Sequence, residues 1–484
     1  MFLGIDVGTS GVKAVLVNEA GAIVAVASHG LTLSHPAPLF SEQDPDAWVD
    51  AAIAAVDGLA TAHPQQTAQV RGIGLSGQMH GARLLGADGR PLRPAILWND
   101  RRAHAECAEL ERRCPSLHAI AGNLAMPGFT APKLLWVARH EPDVFAHVAK
   151  VLLPKAYVRY RLTGEMVEDM SDAAGSLWLD VGRRTWSGTI LEATGLGLHH
   201  MPRLVEGGEP SAVLSSDFAR RWGMAPNVVV AGGAGDGAAS AIGLGAIRPG
   251  DAFLSLGTSG VLFRVTERFA PAPGSAVHAF CHALGGLWHQ MGVMLSAAAS
   301  LAWLSRILAT PDSELLAPLG EFVERPSPVQ FLPYLDGERT PHNDAAAAGA
   351  FVGLRSATGR DDMVQAVLEG VGYAARDNLA ALGGFSPIME VDLVGGGSRS
   401  ALWAQIIADV LAIPVHRVEE GEVGAALGAA RLGRLAATGE DPAKVCSRPR
   451  RLASFVPRPA AVAAYDQAYR QWRKLYPALK ECSA

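Results

Sequence analysis

"FLGIDVGTSGVKAVLV" (residues 2–17) returns in altered form as "AFLSLGTSGVLFRV" (residues 252–265). Each copy sets Gly-Thr-Ser-Gly between two β-rich runs, so each reads as strand, tight turn, strand. After the first copy, "NEAG" (18–21) supplies a turn and "AIVAVASHGL" (22–31) a third strand. "SEQDPDAWVDAAIAAVDGLA" (41–60) opens with Ser/Asp/Pro capping chemistry and carries Trp48, Ala52, Ile53 and Val56 at helical spacing; "VRGIGLSGQM" (70–79) is a further strand. The second copy leads into the same series. "ALGGLWHQMGVM" (283–294) offers a third strand, "LSAAASLAWLSRIL" (295–308) a helix, and "MEVDLVGGGSRSALWAQIIADVLAIPVHRV" (389–418) a strand, glycine turn, helix and strand. This predicts an α/β protein of two lobes descended from one duplicated unit, 1–246 and 247–484, joined near "GAIRPGD" (245–251). "AAVAAYDQAYRQWRKLYPAL" (460–479) reads as an amphipathic surface helix.

A chain of 484 residues is too long for one ordinary core and ample for a site buried between lobes. Its formal net charge of −5 provides no basic footprint, which argues against nucleic acid as a partner and for a small-molecule substrate. The five cysteines (Cys107, Cys114, Cys281, Cys446, Cys482) are scattered and show no Cys-x-x-Cys spacing, so neither a disulfide framework nor a zinc site is expected, and a reducing cytoplasm is. The most apolar stretches are interrupted by glycine and Asp236, so no membrane span is expected. The sequence does not set an oligomeric state, and a homodimer is compatible with it.

A Gly-Thr-Ser-Gly turn can aim backbone N–H groups and two hydroxyls at one point, because glycine allows the close approach that a phosphate oxygen demands. Two such turns in facing lobes can hold one polyphosphate, with Gly8, Thr9 and Ser10 on one side and Gly257, Thr258 and Ser259 on the other. Only the first copy has an aspartate ahead of it. Asp6 can hold Mg2+ against the phosphates, directly or through water, whereas the second copy has Ser255-Leu256 there. Lys13 reads equally as a phosphate contact or a solvated strand lysine. The plainer reading makes both turns ordinary glycine hairpins, and the repetition weighs against it. A third glycine turn, "VGGGSRS" (394–400), suits the adenosine part of a nucleotide through Gly396, Gly397 and Ser398. It also mimics a dinucleotide-binding turn, with Glu419 some 20 residues on, yet it lacks the third glycine and has no second mononucleotide half behind it.

"GFTAPKLLWVARH" (128–140) and "GAFVGLRSATGRDDMVQAVLE" (349–369) resemble the two signatures of the FGGY carbohydrate kinase family, within the actin and hexokinase superfamily. "SGQMHG" (76–81), "AILWND" (95–100), "DMSDAAGSLWLD" (169–180) and "FLPYLDGERTPH" (331–342) are similar to segments of the members that act on D-xylulose. The resemblance runs nearly end to end. It implies two ribonuclease-H-like lobes with a cleft between them and an ATP- and Mg2+-dependent transfer of phosphate to a sugar hydroxyl, D-xylulose before another pentulose or a pentitol such as ribulose or arabinitol. A competing function is an actin-like nucleotide switch that hydrolyses ATP without sugar.

By position, the resemblance assigns Met79 and His80 to the sugar, where the similar glycerol kinases carry an Arg-Glu pair; a Met-His pair otherwise reads as core. It brings Trp98, Asn99 and Asp100 near the same pocket, with surface capping by Asp100 as the alternative. Asp236, in "GGAGDGAASAIGLGA" (232–246), can cap a helix; the resemblance makes it the general base that takes the sugar hydroxyl's proton, and a sugar contact as well. Gly237 departs from the family, where a bulkier polar residue is common. Lys133 and Trp136, three apart on a helix, read as packing with a snorkelling lysine.

Overall fold

The two Gly-Thr-Ser-Gly turns occupy equivalent corners of two sheets with the same strand order. The computed structural model describes residues 1–419 and 424–483. In the first half, strands β1 (Phe2–Val7), β2 (Gly11–Val17) and β3 (Ile23–Gly30) form an antiparallel meander, covered by helix α1 (Pro45–Ala62). Strand β4 (Gly72–Gly77) lies parallel to β1. An insertion then carries α2 (Thr130–His140), α3 (Pro154–Thr163) and the short α4 (Met170–Ala174). Strands β5 (Pro210–Val213), β6 (Val229–Ala231) and β7 (Ala234–Gly235) complete the sheet, in the order β5-β6-β4-β1-β2-β3 with β7 also on β4, and α5 (Asp236–Leu244) follows.

The second half repeats this arrangement. Its strands are β8 (Ala252–Leu256), β9 (Gly260–Thr266), β10 (His278–Cys281), β11 (Trp288–Met294), β12 (Val391–Val394), β13 (Val415–Val418) and β14 (Arg451–Phe455), in the order β10-β11-β9-β8-β12-β13-β14. Read outward from the hairpin, β11-β9-β8-β12-β13-β14 matches β3-β2-β1-β4-β6-β5 in every parallel and antiparallel pairing; β10 is an added edge. The helices of this half are α6 (Ala298–Leu308), α7 (Arg360–Ala381), α8 (Ala401–Leu411), α9 (Gly424–Thr438), α10 (Pro459–Trp472) and α11 (Leu475–Ser483). None of the described helices is long and apolar enough to cross a membrane.

Each sheet buries one face under its own helices. Leu3, Ile5, Val12 and Leu16 pack on Trp48, Ala52, Val56 and Leu59 of α1, and Leu254 and Leu262 pack in a second core with α6, α7 and α8. The opposite faces exchange helices. α9 lies on β1, β2, β4 and β6 of the first sheet, while Ala241 and Leu244 of α5 join Phe253, Phe263 and Val394 of the second. The two helices cross between the lobes at backbone contact: a Cβ on Gly428 would stand 1.8 Å from Ala239 O, and one on Gly74 of β4 would stand 1.8 Å from Ala429 O. Only glycine permits that approach.

One sequence expectation holds and one shifts. The capping chemistry read at the start of 41–60 is in place: Glu42 and Gln43 pair with Ile96 and Ala95, Asp44 caps by accepting from Asp46 N, and the helix begins at Pro45. Segment 460–479 is two helices and no surface decoration: Tyr465 and Trp472 are buried in the second core, and Trp472 Nε1 donates to Phe331 O at 2.7 Å.

Candidate active site

Strands β1, β4 and β7 finish level, since Asp6 and Ala234 both pair with Ser76, and Asp236 follows as the first residue of α5. Two carboxylates therefore meet at one corner of the first sheet. Ser76 Oγ donates to Asp6 Oδ1 at 3.0 Å. Burial pushes the Asp6 carboxyl above its ordinary range, and the Ser76 hydroxyl and Lys13, opposite it in the β1–β2 register, pull it back. Asp236 is pushed up to about 6, first by the protein that displaces water around it and then by the charge of Asp6, against a 2.6 Å hydrogen bond from Gly237 N. Asp236 nevertheless remains exposed, and the next residue abuts the second lobe: a Cβ on Gly237 would stand 3.5 Å from Met291 Sδ of β11. The repulsion falls on Asp236 because Asp6, helped by Ser76 and Lys13, ionises first. Gly235 holds the N-cap position, so Asp236 sits one residue inside the helix.

The glycine turns are held differently. In the first, Gly8 N closes on Gly11 O at 3.0 Å, and the Thr9 hydroxyl donates to Gln78 Oε1 at 3.0 Å while accepting from Trp98 Nε1 at 2.9 Å. Gln43 Nε2 donates to Thr9 O at 2.8 Å. Two donors read as phosphate groups thus brace the turn, and Ser10 remains exposed. In the second, Ala298 N and Ala297 N donate to the carbonyls of Gly257 and Thr258, both at 2.9 Å, which leaves Thr258 and Ser259 exposed at the turn's tip. The third turn abuts the second. Gly395 has a φ of +89°, and a Cβ on Gly397 would stand 2.9 Å from Leu256 Cβ, so Gly397 and Ser398 are buried and Gly396 alone is exposed. Of the three residues expected to meet a nucleotide, Gly396 alone is thus presented at the surface.

His80 adopts a left-handed backbone with φ +70°, unusual for a residue with a side chain. Two donors hold its carbonyl: Lys133 Nζ at 2.8 Å and Thr130 Oγ1 at 3.2 Å, both from α2. Its ring packs edge-on against Phe129, and Nδ1 lies 2.6 Å from Gly175 O. Burial above all drives the imidazole down to about 3, so it is neutral; Nδ1–H must then donate to that carbonyl, and Nε2 is an acceptor.

Other expected residues move. Met79 is buried, wedged between Gly175 and Gly235, where added Cβ atoms would stand 2.6 Å from its Cε and 2.9 Å from its Sδ; it is a floor more than a ligand. Asp100 is fully buried, its oxygens taken by Arg102 Nε and Nη2 and by the backbone N–H of Ser41 and Arg102, which corrects the expected sugar contact. Asn99 is exposed, and Trp98 is half exposed with its indole tied to Thr9. Lys133 does not snorkel. It is fully buried, and burial brings its ammonium down to about 7.

Sequence reading passed over the support behind Asp236. Gly235 N donates to Ser171 Oγ at 3.1 Å, which donates to Asp169 Oδ2 at 2.5 Å. Lys155 Nζ lies 2.7 Å from Asp169 and 3.1 Å from Asp172 and also pairs with Glu168, all buried. Those three carboxylates are the one metal-like cluster among the described residues, and the Lys155 ammonium already sits among them, within reach of all three. Gln78 and Ser171 stood inside segments noted for their resemblance, but nothing local marks a side chain as a brace.

Residues 1–243 match the N-terminal domain, and residues 252–437 the C-terminal domain, of the FGGY family of carbohydrate kinases. Xylulose kinase of Escherichia coli (strain K12) is 49% identical over 480 residues, 98% of either chain, and that of Klebsiella pneumoniae 50% over 437 residues, 90% of either chain. Among solved structures, a xyloylose kinase from Brucella ovis superposes with a TM-score of 0.97 at 53% identity, covering 99% of both chains. Xylulose kinase from Rhodospirillum rubrum gives 0.93 at 30% identity, covering 100% of this chain and 99% of that one. With its duplicated sheets, paired glycine turns and facing carboxylates, the chain belongs to the FGGY family of carbohydrate kinases, enzymes that phosphorylate with ATP as co-substrate.

Proposed function

We propose that this chain transfers the γ-phosphoryl group of ATP to D-xylulose, giving D-xylulose 5-phosphate in pentose catabolism. The observation that carries the reading is Asp236, an exposed residue at the head of α5 where the helix abuts the second lobe, its carboxyl pushed up to about 6 beside Asp6. At pH 7 it is ionised and so free to take a proton, and it is a stronger base than an ordinary carboxylate because its anion is less stabilised. The proton of the sugar's terminal hydroxyl passes to Asp236 as its oxygen bonds to phosphorus and the bond from phosphorus to the ADP oxygen breaks. His80 Nε2, an acceptor, receives a hydroxyl of the same sugar, and Trp98 borders the pocket from the first phosphate turn. Phosphates lie between Gly8–Ser10 with Lys13 and Gly257–Ser259, and Gly396 is the open point of the third turn for the nucleoside.

Asp6 fits a divalent cation, because two repelling carboxylates beside a phosphate turn leave negative charge that a metal offsets. Bound there, Mg2+ supplies charge neutralisation and orientation of the polyphosphate. We set the lobe boundary at 246/247 and assign the chain to the cytoplasm, where the free thiols of Cys107, Cys114, Cys281 and Cys446 stay reduced.

Asp236→Asn tests the reading. The amide keeps the volume and can still accept from Gly237 N, yet it cannot take a proton. Turnover should fall about 10²–10⁴-fold with KM for sugar and ATP little changed. A folded variant keeping more than about a tenth of native turnover would remove Asp236 from the reaction.

A further inference from the structure

The segment Asp336–His342, "DGERTPH", sends two neighbouring side chains in opposite directions. Glu338 turns inward to the second lobe. It is buried, and its Oε1 accepts from Leu295 N at 3.0 Å and Arg339 N at 2.7 Å. Leu295 directly follows β11, and the N–H groups of Ala297 and Ala298, just beyond it, hold the carbonyls of Thr258 and Gly257. Thr340 fastens the segment to the same strand through Val293, its N–H donating to Val293 O and its hydroxyl accepting from Val293 N, both at 3.0 Å.

Arg339 turns outward to the first lobe. Its Nη1 lies against Met126 Sδ and 3.4 Å from His278 Nε2. His278 packs on Phe129 with ring centroids 5.7 Å apart, and Phe129 packs on His80 at 4.5 Å. Arg339 therefore ends a continuous wall that begins at His80, and its charge is felt there, adding to the depression of the imidazole. No ion pair among those described joins Arg339 to a carboxylate; the charge that attracts it is the neighbouring Glu338, whose carboxyl burial pushes up to about 8, while Arg101 of the first lobe adds repulsion. With that neighbour turned inward, the guanidinium's fixed fork of donors is left for uncharged acceptors beside the His80 wall. A ketose offers them as a carbonyl beside hydroxyls.

We propose that Arg339 is a sugar-recognition residue supplied by the second lobe, and that Glu338 beside it links sugar binding to the second phosphate turn. This rests on the reading that His80 faces the sugar. With sugar bound, the Arg339 contact ties the two lobes to the same substrate, and Glu338 carries the same segment's position to Leu295 and so to the backbone that holds Gly257 and Thr258. The sugar thereby prepares the site for ATP.

The experiment compares full-length native protein, Arg339→Met, Arg339→Lys and His80→Ala, all checked for native melting, in KM for D-xylulose, KM for ATP and nucleotide affinity with and without saturating D-xylulose. Arg339→Met should raise the sugar KM about 10–100-fold, as losing a charged hydrogen-bond donor does, while the ATP KM changes less than about threefold. Native protein should bind nucleotide more tightly with sugar present, and Arg339→Met should lose that gain. Arg339→Lys, which keeps the charge without the fork, should fall between and serves if the methionine variant does not fold. A raised sugar KM in His80→Ala alone overturns the Arg339 assignment and leaves the pocket standing. No rise in any variant overturns both. Native protein whose nucleotide affinity ignores sugar overturns the link through Glu338.

Discussion

Asp236 keeps its proton up to about pH 6 because the surrounding protein and Asp6 both disfavour its charge. The same shift has a sign for stability. A carboxyl whose folded pKa lies above its unfolded value of 3.8 favours folding fully only below that value, and the contribution is lost as pH rises through 6. At neutral pH, ionised Asp236 weighs against the free protein's fold, a burden that buys reactivity. Asp236→Asn should therefore melt above native protein at pH 7–8, the gap closing as pH drops below about 4, while native kcat/KM for the sugar should show an acid limb near pH 6. Equal melting temperatures at both ends of that range would show that the repulsion is absent in solution. The sequence singles out Asp6 and Asp236 because glycines lie within two residues of each and mark backbone that must be approached or bent, whereas His80 is singled out only by the resemblance. Asp100 and Lys133 misled. Asp100 is held by the Arg102 guanidinium two residues on, together with the distant Ser41 N–H, and Lys133 by the distant carbonyl of His80.

At the scale of elements, strand periodicity and repeated turns sufficed to find both sheets and to show that they are duplicates. The exchange of α5 and α9 was not legible. Both are rich in small residues, and composition says that such a helix can approach backbone closely without saying whose backbone it meets. Gly428 tests the crossing. A Cβ there overlaps Ala239 O, a backbone atom that no rotamer can move aside. Gly428→Val should lower the melting temperature by on the order of 10 °C or abolish soluble protein. Gly30→Val, where nothing stands within 4 Å of the new Cβ, should change it little. Equal tolerance at both positions would mean that the two helices do not touch as described.

Across the whole molecule, the second lobe contributes more than a nucleotide platform. β10 crosses into the first lobe's insertion, where Asn123 Nδ2 donates to Ala279 O at 2.9 Å and Phe280 and Cys281 join a core with Leu134 and Trp178. The wall of His80 and Phe129 is thus extended by His278 and Phe280 from the second lobe, a juxtaposition that no local stretch of sequence announces. Water competes with a sugar hydroxyl for the γ-phosphoryl group, so this wall has catalytic value only if the enzyme waits for its sugar. The most direct measurement is ADP release by native protein, with ATP and Mg2+, against D-xylulose, D-ribulose, D-arabinitol and glycerol in turn and without any of them. The account predicts that release depends on added sugar and that kcat/KM for D-xylulose exceeds each other compound at least about tenfold, the discrimination available to a site whose polar groups are matched to one hydroxyl pattern. ADP release as fast without sugar as with it, or a preference for one of the other compounds, would contradict it.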